Sequence, residues 1–212
     1  MTDALALNMI VRDGFTGASD AIRAMASARD VVDIYVIVDT GSTDGTPFHI
    51  KLWCRRNKKK LILREVAWRD DFAAARNVAL AATPTPWVLS LDADDELECG
   101  ACDEIRRCVN VEPPRQWYLG VRGVGLPFTV PQVRLFPALE GAEWRLPLHE
   151  RISDSLTERG VPFGSARACV WHHGYGDPEH MKASAIRNER IVAKHGVSGM
   201  GGAVYPERAI HV

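Results

Sequence analysis

Four short apolar runs, each followed by a helix-like stretch, occupy the first half of the chain. Leu5–Val11, Ile34–Val38, Leu61–Val66 and Trp87–Leu91 are strand-length, and the β-branched run Ile34–Val38 has the pattern of a strand buried on both faces of a parallel sheet. Between the first two, Gly17 to Ala28 carries Ala21, Ile22 and Met25 at helical spacing. The second helix has a capping residue at Thr46, Pro47 in its first turn, and Phe48 and Leu52 on one face. Asp70 or Asp71 caps a third helix reaching Ala82, and Thr83-Pro84-Thr85-Pro86 stops it. The order β-α-β-α-β-α-β predicts an α/β fold with a mostly parallel central sheet, right-handed crossovers and helices on its faces. Ligands of such sheets bind at the carboxyl ends of the strands. Asp39 and Asp92 both fall there.

The second half changes character. Ile105, Cys108 and Val109 predict one more helix. Trp117–Val124 and Val130–Phe136 are interrupted by Gly123, Gly125, Pro127 and Pro131, as in strands joined by loops of a smaller mixed elaboration. An apolar strand ends at Trp171. Asp177-Pro178 opens a last helix running to about His195, and residues 196–212 have the composition of a flexible tail.

Bulk properties narrow the function classes. A chain of 212 residues suits one domain with a real core. A net charge of -1 provides no global field toward nucleic acid or acidic membranes. The amino terminus lacks a signal-peptide pattern, and no run approaches the ~18 apolar residues of a membrane span. The expected location is the cytoplasm. Five cysteines, an odd number, point to free thiols rather than a disulfide framework. Cys99-x-x-Cys102 has no second Cys/His pair at zinc spacing, so a structural role is expected.

Several clusters carry chemistry. Asp92-x-Asp94, followed by Asp95 and Glu96, places four carboxylates in five positions. Their mutual repulsion favours a hard divalent cation, although acidic turns also occur on ordinary surfaces. Asp39 either accepts hydrogen bonds from a base or ribose, or closes an Asx-turn with Gly41 and Ser42. Arg76, near the start of the third helix, either meets a phosphate or base or lies on the surface. Glu150, after His149, is one of 27 acidic residues and a carboxylate of the kind a general base needs. His172 and His173 follow the last strand as a metal ligand or a structural pair. The basic run Arg55, Arg56, Lys58, Lys59 and Lys60 complements a helix C-terminus or accepts a polyanion.

Taken together, these segments resemble family 2 of the glycosyltransferases, with the GT-A fold. The residues that carry the likeness are Val38-Asp39-Thr40-Gly41-Ser42-Thr43-Asp44-Gly45-Thr46, Asp71-Phe72-Ala73-Ala74-Ala75-Arg76-Asn77 and Leu89-Ser90-Leu91-Asp92-Ala93-Asp94-Asp95. Val133-Arg134-Leu135-Phe136, His149-Glu150 and His172-His173-Gly174-Tyr175 follow in the order of one soluble-type branch. The resemblance implies an inverting, metal-dependent transfer of a sugar from a nucleoside diphosphate-sugar, by family habit a UDP-sugar, to an acceptor hydroxyl. It implies donor contacts from Asp39, Thr40, Ser42, Asp71, Arg76 and Asp92, and a Mn²⁺ or Mg²⁺ ion held by Asp94 and His172. Glu150 becomes the general base. On this reading residues 1–110 are the nucleotide-sugar-binding half, and residues 111–195 the acceptor-side half of the same domain. The acceptor class is open among glycan, protein and, through the basic run, nucleic acid.

Two features depart from the family pattern. Arg12-Asp13-Gly14 stands where a Lys-Asn-Glu-like segment is usual, and Thr40 stands where many members have a second Asp. Two alternatives remain: nucleotidyltransfer on a related α/β fold, and a non-catalytic nucleotide-sugar-binding protein. The first calls for a Gly-rich basic loop after the first strand, of which Arg12-Asp13-Gly14-Phe15-Thr16-Gly17 is a poor version.

Overall fold

The structure is a computed structural model that describes residues 4–15, 20–174 and 178–196. The elements run β1 (Leu5–Val11), α1 (Ala21–Ser27), β2 (Ile34–Asp39), α2 (Thr46–Arg56), β3 (Lys60–Glu65), α3 (Phe72–Ala81), β4 (Trp87–Ser90), β5 (Asp95–Leu97), α4 (Ala101–Cys108), β6 (Gln116–Gly123), β7 (Thr129–Pro137), α5 (Ser153–Glu158), β8 (Phe163–His172) and α6 (Pro178–His195). The expected helix start at Gly17, and the tail beyond Gly196, lie outside the described residues. Among the described residues no helix is long and apolar enough to cross a membrane.

All eight strands join one sheet in the order β3-β2-β1-β4-β7-β6-β8-β5. The sheet is mixed: its first half is parallel throughout, and its second half joins antiparallel pairs to one parallel pair, β6 with β8. β3, β2, β1 and β4 are parallel, whereas β7 runs antiparallel to β4 and to β6, and β5 antiparallel to β8. The reason lies in the connections: α-helices link the first four strands and force parallel crossovers, while the short loop after β6 makes a hairpin with β7.

Alternation along β1 divides the core. Leu5, Leu7, Met9 and Val11 pack with α1 residues Ala21, Ala24 and Met25, and with Ile50 and Cys54 of α2. Ala6 packs on the other face with Val36, Val38 and Ala79. A strand covered on both sides needs apolar residues at nearly every position, which is what made these runs legible. The alanines of α3 let that helix approach closely; Ala73 packs with Val88, Phe136 and Trp144.

Two local expectations change. Thr46 does not cap α2; it is the first helical residue, after Gly45 at φ 83°. Its hydroxyl hydrogen-bonds Asp44 and accepts from the Gly14 N–H at 2.9 Å, tying α2 to the end of β1. Of the two candidate caps of α3, Asp71 is the one used, its carboxylate accepting the Ala74 N–H at 2.9 Å. Arg55 and Arg56 fall in the last turn of α2, and Lys59 Nζ donates to the Val32 carbonyl at 2.9 Å.

Candidate active site

Parallel register sets the rim. Val11 pairs with Asp39, and Asn8 with Ser90, so the chain leaves β1, β2 and β4 on one edge of the sheet. A cleft of about 920 Å³ opens there. Arg12, Thr40, Arg76, Asp92, Asp94, His149, Glu150 and His172 reach it from the sheet side, and α6 forms the opposite wall with His180, Ser184 and Arg187.

The loops after β1 and β2 are stitched together. Thr40 N–H donates to the Val11 carbonyl at 2.9 Å, and Asp13 N–H to Ser42 Oγ at 2.8 Å. Asp13, at φ 48°, accepts the Thr43 N–H at 2.6 Å. The displaced acidic residue of the Arg12-Asp13-Gly14 segment therefore braces the second loop. Asp39 closes an Asx-turn: Oδ1 accepts the Gly41 and Ser42 N–H groups at 3.0 Å each, and Oδ2 takes the Ser42 hydroxyl. It is 3% exposed and does not line the cleft, whereas Thr40 does. Asp71 is also outside the lining, occupied as the α3 cap.

Arg76 is the hub of the site. It is 8% exposed, which removes its surface reading. Nε donates to Glu150 Oε1 at 2.6 Å and Nη2 to Asp92 Oδ1 at 2.6 Å, while its guanidinium lies 5.0 Å from the Trp144 ring centre. Burial lowers its pKa, but the Asp92 and Glu150 carboxylates outweigh that and raise it. Its neighbour Asn77 grips the Trp144 backbone in both directions, accepting from N–H at 2.7 Å and donating to C=O at 2.9 Å. Beyond Trp144, reciprocal Arg145–Arg151 backbone bonds of 3.0 Å close the loop that carries Glu150, and Phe72 N–H donates to Pro147 C=O at 2.9 Å. The Arg76-Asn77 pair thus secures the Glu150 loop.

Arg134 belongs to the Val133–Phe136 motif. It is buried on β7, within 3.1 Å of Asp92 Oδ2 and 3.2 Å of Asp95 Oδ2. Burial pushes the Asp92 pKa upward, but Arg76 and Arg134 outweigh it and hold the carboxyl far below the ordinary range. Both Asp92 oxygens are therefore bound to arginines.

The presumed acidic turn is a turn followed by a strand, since Asp95–Leu97 forms β5 and pairs with β8, with Asp95 opposite His172. Asp95 is 0% exposed; its Oδ1 meets His172 Nδ1 at 2.9 Å, and its Oδ2 accepts the Asp92 N–H at 2.8 Å. Glu96 turns away to His173 Nε2, 2.9 Å off. Two arginines and a histidine thus offset carboxylate repulsion around Asp92 and Asp95. Asp94 instead faces imidazoles, its Oδ2 lying 3.5 Å from His172 Nε2 and 3.6 Å from His180 Nε2. Burial raises the Asp94 pKa. His172 moves up to about 9, because Asp95 and Asp94 more than offset the opposing effect of burial.

These residues fit a hard cation. Asp94, Asp95 and His172 offer ligand atoms that all lie within 4.8 Å of one another. A Cβ at Gly174 would come within 2.4 Å of Asp94 Oδ2 and 3.1 Å of His172 Nε2, so the missing side chain leaves the space beside both groups open. Asp95 on Nδ1 fixes the ring with Nε2 toward Asp94, the usual device for presenting a metal-binding imidazole. Tyr175, from the same sequence motif, lies outside the described residues. The five cysteines are free, with Cys54 and Cys108 buried and Cys99 exposed.

Residues 20–105 match the model of Glycosyl transferase family 2. A TPR repeat-containing protein of Synechococcus elongatus is 34% identical over 181 residues, which are 81% of this chain and 42% of that protein. The chain therefore spans less than half the length of this relative. The structure of S. aureus TarS 1–349 in complex with UDP-GlcNAc superposes with a TM-score of 0.64 at 14% identity, over 85% of this chain and 61% of that one. The mannosyltransferase PcManGT from Pyrobaculum calidifontis, in complex with GDP-Man and Mn²⁺, gives 0.66 at 17% identity, over 92% and 63%. The chain thus carries a segment that matches glycosyl transferase family 2, within an architecture shared with these glycosyltransferase structures, the GT-A fold.

Proposed function

We propose that the chain is a metal-dependent inverting glycosyltransferase that moves a sugar from a nucleoside diphosphate-sugar, with UDP as the nucleotide, to an acceptor hydroxyl. The observation that carries this reading is the convergence of Glu150, Asp92, Asp94 and His172 on one cleft at the carboxyl rim of the parallel strands. Two solved relatives with this fold are in complex with nucleotide sugars, one of them with Mn²⁺ as well.

Glu150 is the base. Arg76 holds Oε1, and Oε2 takes no protein hydrogen bond among the described residues, so it remains to accept the acceptor proton. The deprotonated oxygen attacks the anomeric carbon as the bond to the diphosphate breaks, and the electron pair departs with the phosphate oxygen. One displacement inverts the anomeric centre without a covalent enzyme intermediate. Asp94 and His172 would hold the cation, oriented by Asp95, and when bound it neutralises charge on the departing diphosphate. Thr40 on the cleft wall, held by the loop that Ser42 braces, would meet the nucleoside end.

The test is turnover. With Mn²⁺ or Mg²⁺ and a panel of UDP- and GDP-sugars and acceptors, nucleoside diphosphate release should require Glu150. Release of pyrophosphate from a nucleoside triphosphate instead would move the chain to nucleotidyltransfer, and donor binding without turnover to a binding protein.

A further inference from the structure

A diphosphate leaving group carries more negative charge than one cation neutralises, so the cleft needs a second positive group that is free to meet it. Arg76 and Arg134, deepest in the site, are committed to Asp92, Glu150 and Asp95. Arg190 is 2.5 Å from Asp70, and Arg12 is a half-exposed rim residue 3.9 Å from Asp13. Arg187 is different.

Arg187 lies on α6 in a row with His180 and Ser184, and all three line the cleft. Ile191, next in that row, is fully buried and seats the helix. The Arg187 guanidinium stacks 4.9 Å from the centre of the Phe72 ring, which is itself met edge-on by Trp68 at 4.9 Å. Its hydrogen bonds are two 3.4 Å contacts to its neighbour Asn188, and it forms no ion pair among the described residues. Partial burial lowers its pKa, with Asp94, then Glu150 and Asp92, acting in the opposite direction. A desolvated, aromatic-braced guanidinium that faces the metal-binding carboxylate without contacting it is arranged for a third party of negative charge.

We propose that Arg187 is a donor-binding residue whose guanidinium grips the diphosphate of the nucleotide sugar from the α6 side of the cleft. The assignment rests on the transferase reading and adds to it a second wall for the donor. Two parallel N–H groups match two phosphate oxygens, and stacking on Phe72 fixes the plane in which they point. Lysine carries the charge without the fork.

The experiment is calorimetric titration of UDP, GDP and inorganic pyrophosphate, each with Mn²⁺, into the wild type, Arg187→Gln and Arg187→Lys. Arg187→Gln should weaken all three by about 10-fold or more, the scale of one charge-assisted contact. Arg187→Lys should fall between, and Mn²⁺ titrated alone should bind all three proteins equally. If Gln loosens α6 and lowers the melting temperature, the Lys variant carries the test, because it preserves the charge and still must lose diphosphate affinity. Equal affinity in all three proteins overturns the assignment while leaving the transferase reading intact. So does a defect confined to acceptor KM, which would give Arg187 to the acceptor. A wild type that binds none of the three probes removes the transferase reading, and the assignment with it.

Discussion

Arg76 and Glu150 are joined by a 2.6 Å bond from Nε to Oε1, while the same guanidinium meets Asp92 Oδ1 at 2.6 Å. One buried cation therefore ties the carboxylate proposed as base to the carboxylate at the end of β4. Removing it leaves Glu150 without its ion pair and Asp92 with Arg134 alone. Arg76→Ala should cost about 3–5 kcal/mol, the range for breaking a buried pair. It should also abolish turnover. Arg76→Lys should recover little, since one ammonium cannot span both carboxylates. Urea denaturation and a nucleoside diphosphate release assay measure the two effects.

Glu150→Gln separates chemistry from architecture. The amide oxygen still accepts from Arg76, but the side chain no longer takes a proton. Loss of a general base lowers kcat by about 10²–10⁴-fold. Melting temperature should fall, because the buried Arg76 keeps only the Asp92 charge, while UDP affinity stays close to wild type. Retained kcat would remove Glu150 from the base role and redirect attention to other groups on the cleft.

Gly174→Ala probes the candidate metal site without replacing a ligand residue. The added methyl would sit 2.4 Å from Asp94 Oδ2 and 3.1 Å from His172 Nε2. Nothing in the backbone angle demands glycine here, because its φ is not positive. Mn²⁺ should raise the melting temperature of the wild type, EDTA should reverse the rise, and Gly174→Ala should show a diminished response. Asp95→Asn should weaken Mn²⁺ by about 10–100-fold through loss of the carboxylate that orients His172. Undiminished Mn²⁺ stabilisation in both variants would place the ion elsewhere.

The cysteines offer a check on the packing. Burial pushes the Cys54 and Cys108 thiols up to about 11, so both are neutral and shielded at pH 8. Cys99 is exposed. A maleimide reagent followed by peptide mapping should modify Cys99 in the native protein, and Cys54 and Cys108 only after denaturation. Rapid native labelling of Cys108 would contradict the seating of α4 on the sheet.

The parallel half of the fold was legible because β1, β2 and β4 are buried on both faces and so write continuous apolar runs. β5 was not, since Asp95-Glu96-Leu97 has no strand pattern; it is a strand because β8 runs long enough to offer an edge, and because Asp95 finds His172 and Arg134. The acidic cluster was found by composition, but its division of labour depends on partners distant in sequence. Arg134 lies 42 residues beyond Asp92, and no local spacing announces it. Arg76 was found by its place on an alanine-rich helix, yet its partners make it a hub for Asp92 and Glu150. His180 and Arg187 escaped notice because a half-exposed helix shows charged residues all along its length, and only docking reveals which of them face the cleft.

Asp71 separates a helix cap from a donor ligand. The resemblance assigns it to the donor, while its carboxylate accepts the Ala74 N–H at 2.9 Å and does not line the cleft. If capping is its role, Asp71→Ala should cost about 1 kcal/mol. That lowers the melting temperature by about 2–4 °C in a chain of this size. Asp71→Asn should restore most of the loss, because its side-chain oxygen accepts the same N–H and only the favourable charge at the helix N-terminus is gone. UDP affinity should be the same in all three proteins once each is measured well below its melting point. A donor contact makes the opposite demand: Asp71→Asn would keep the stability and lose the affinity. Parallel melting curves and UDP titrations on the two variants therefore decide between the roles, and a stable Asn variant with weakened UDP binding would return Asp71 to the donor site.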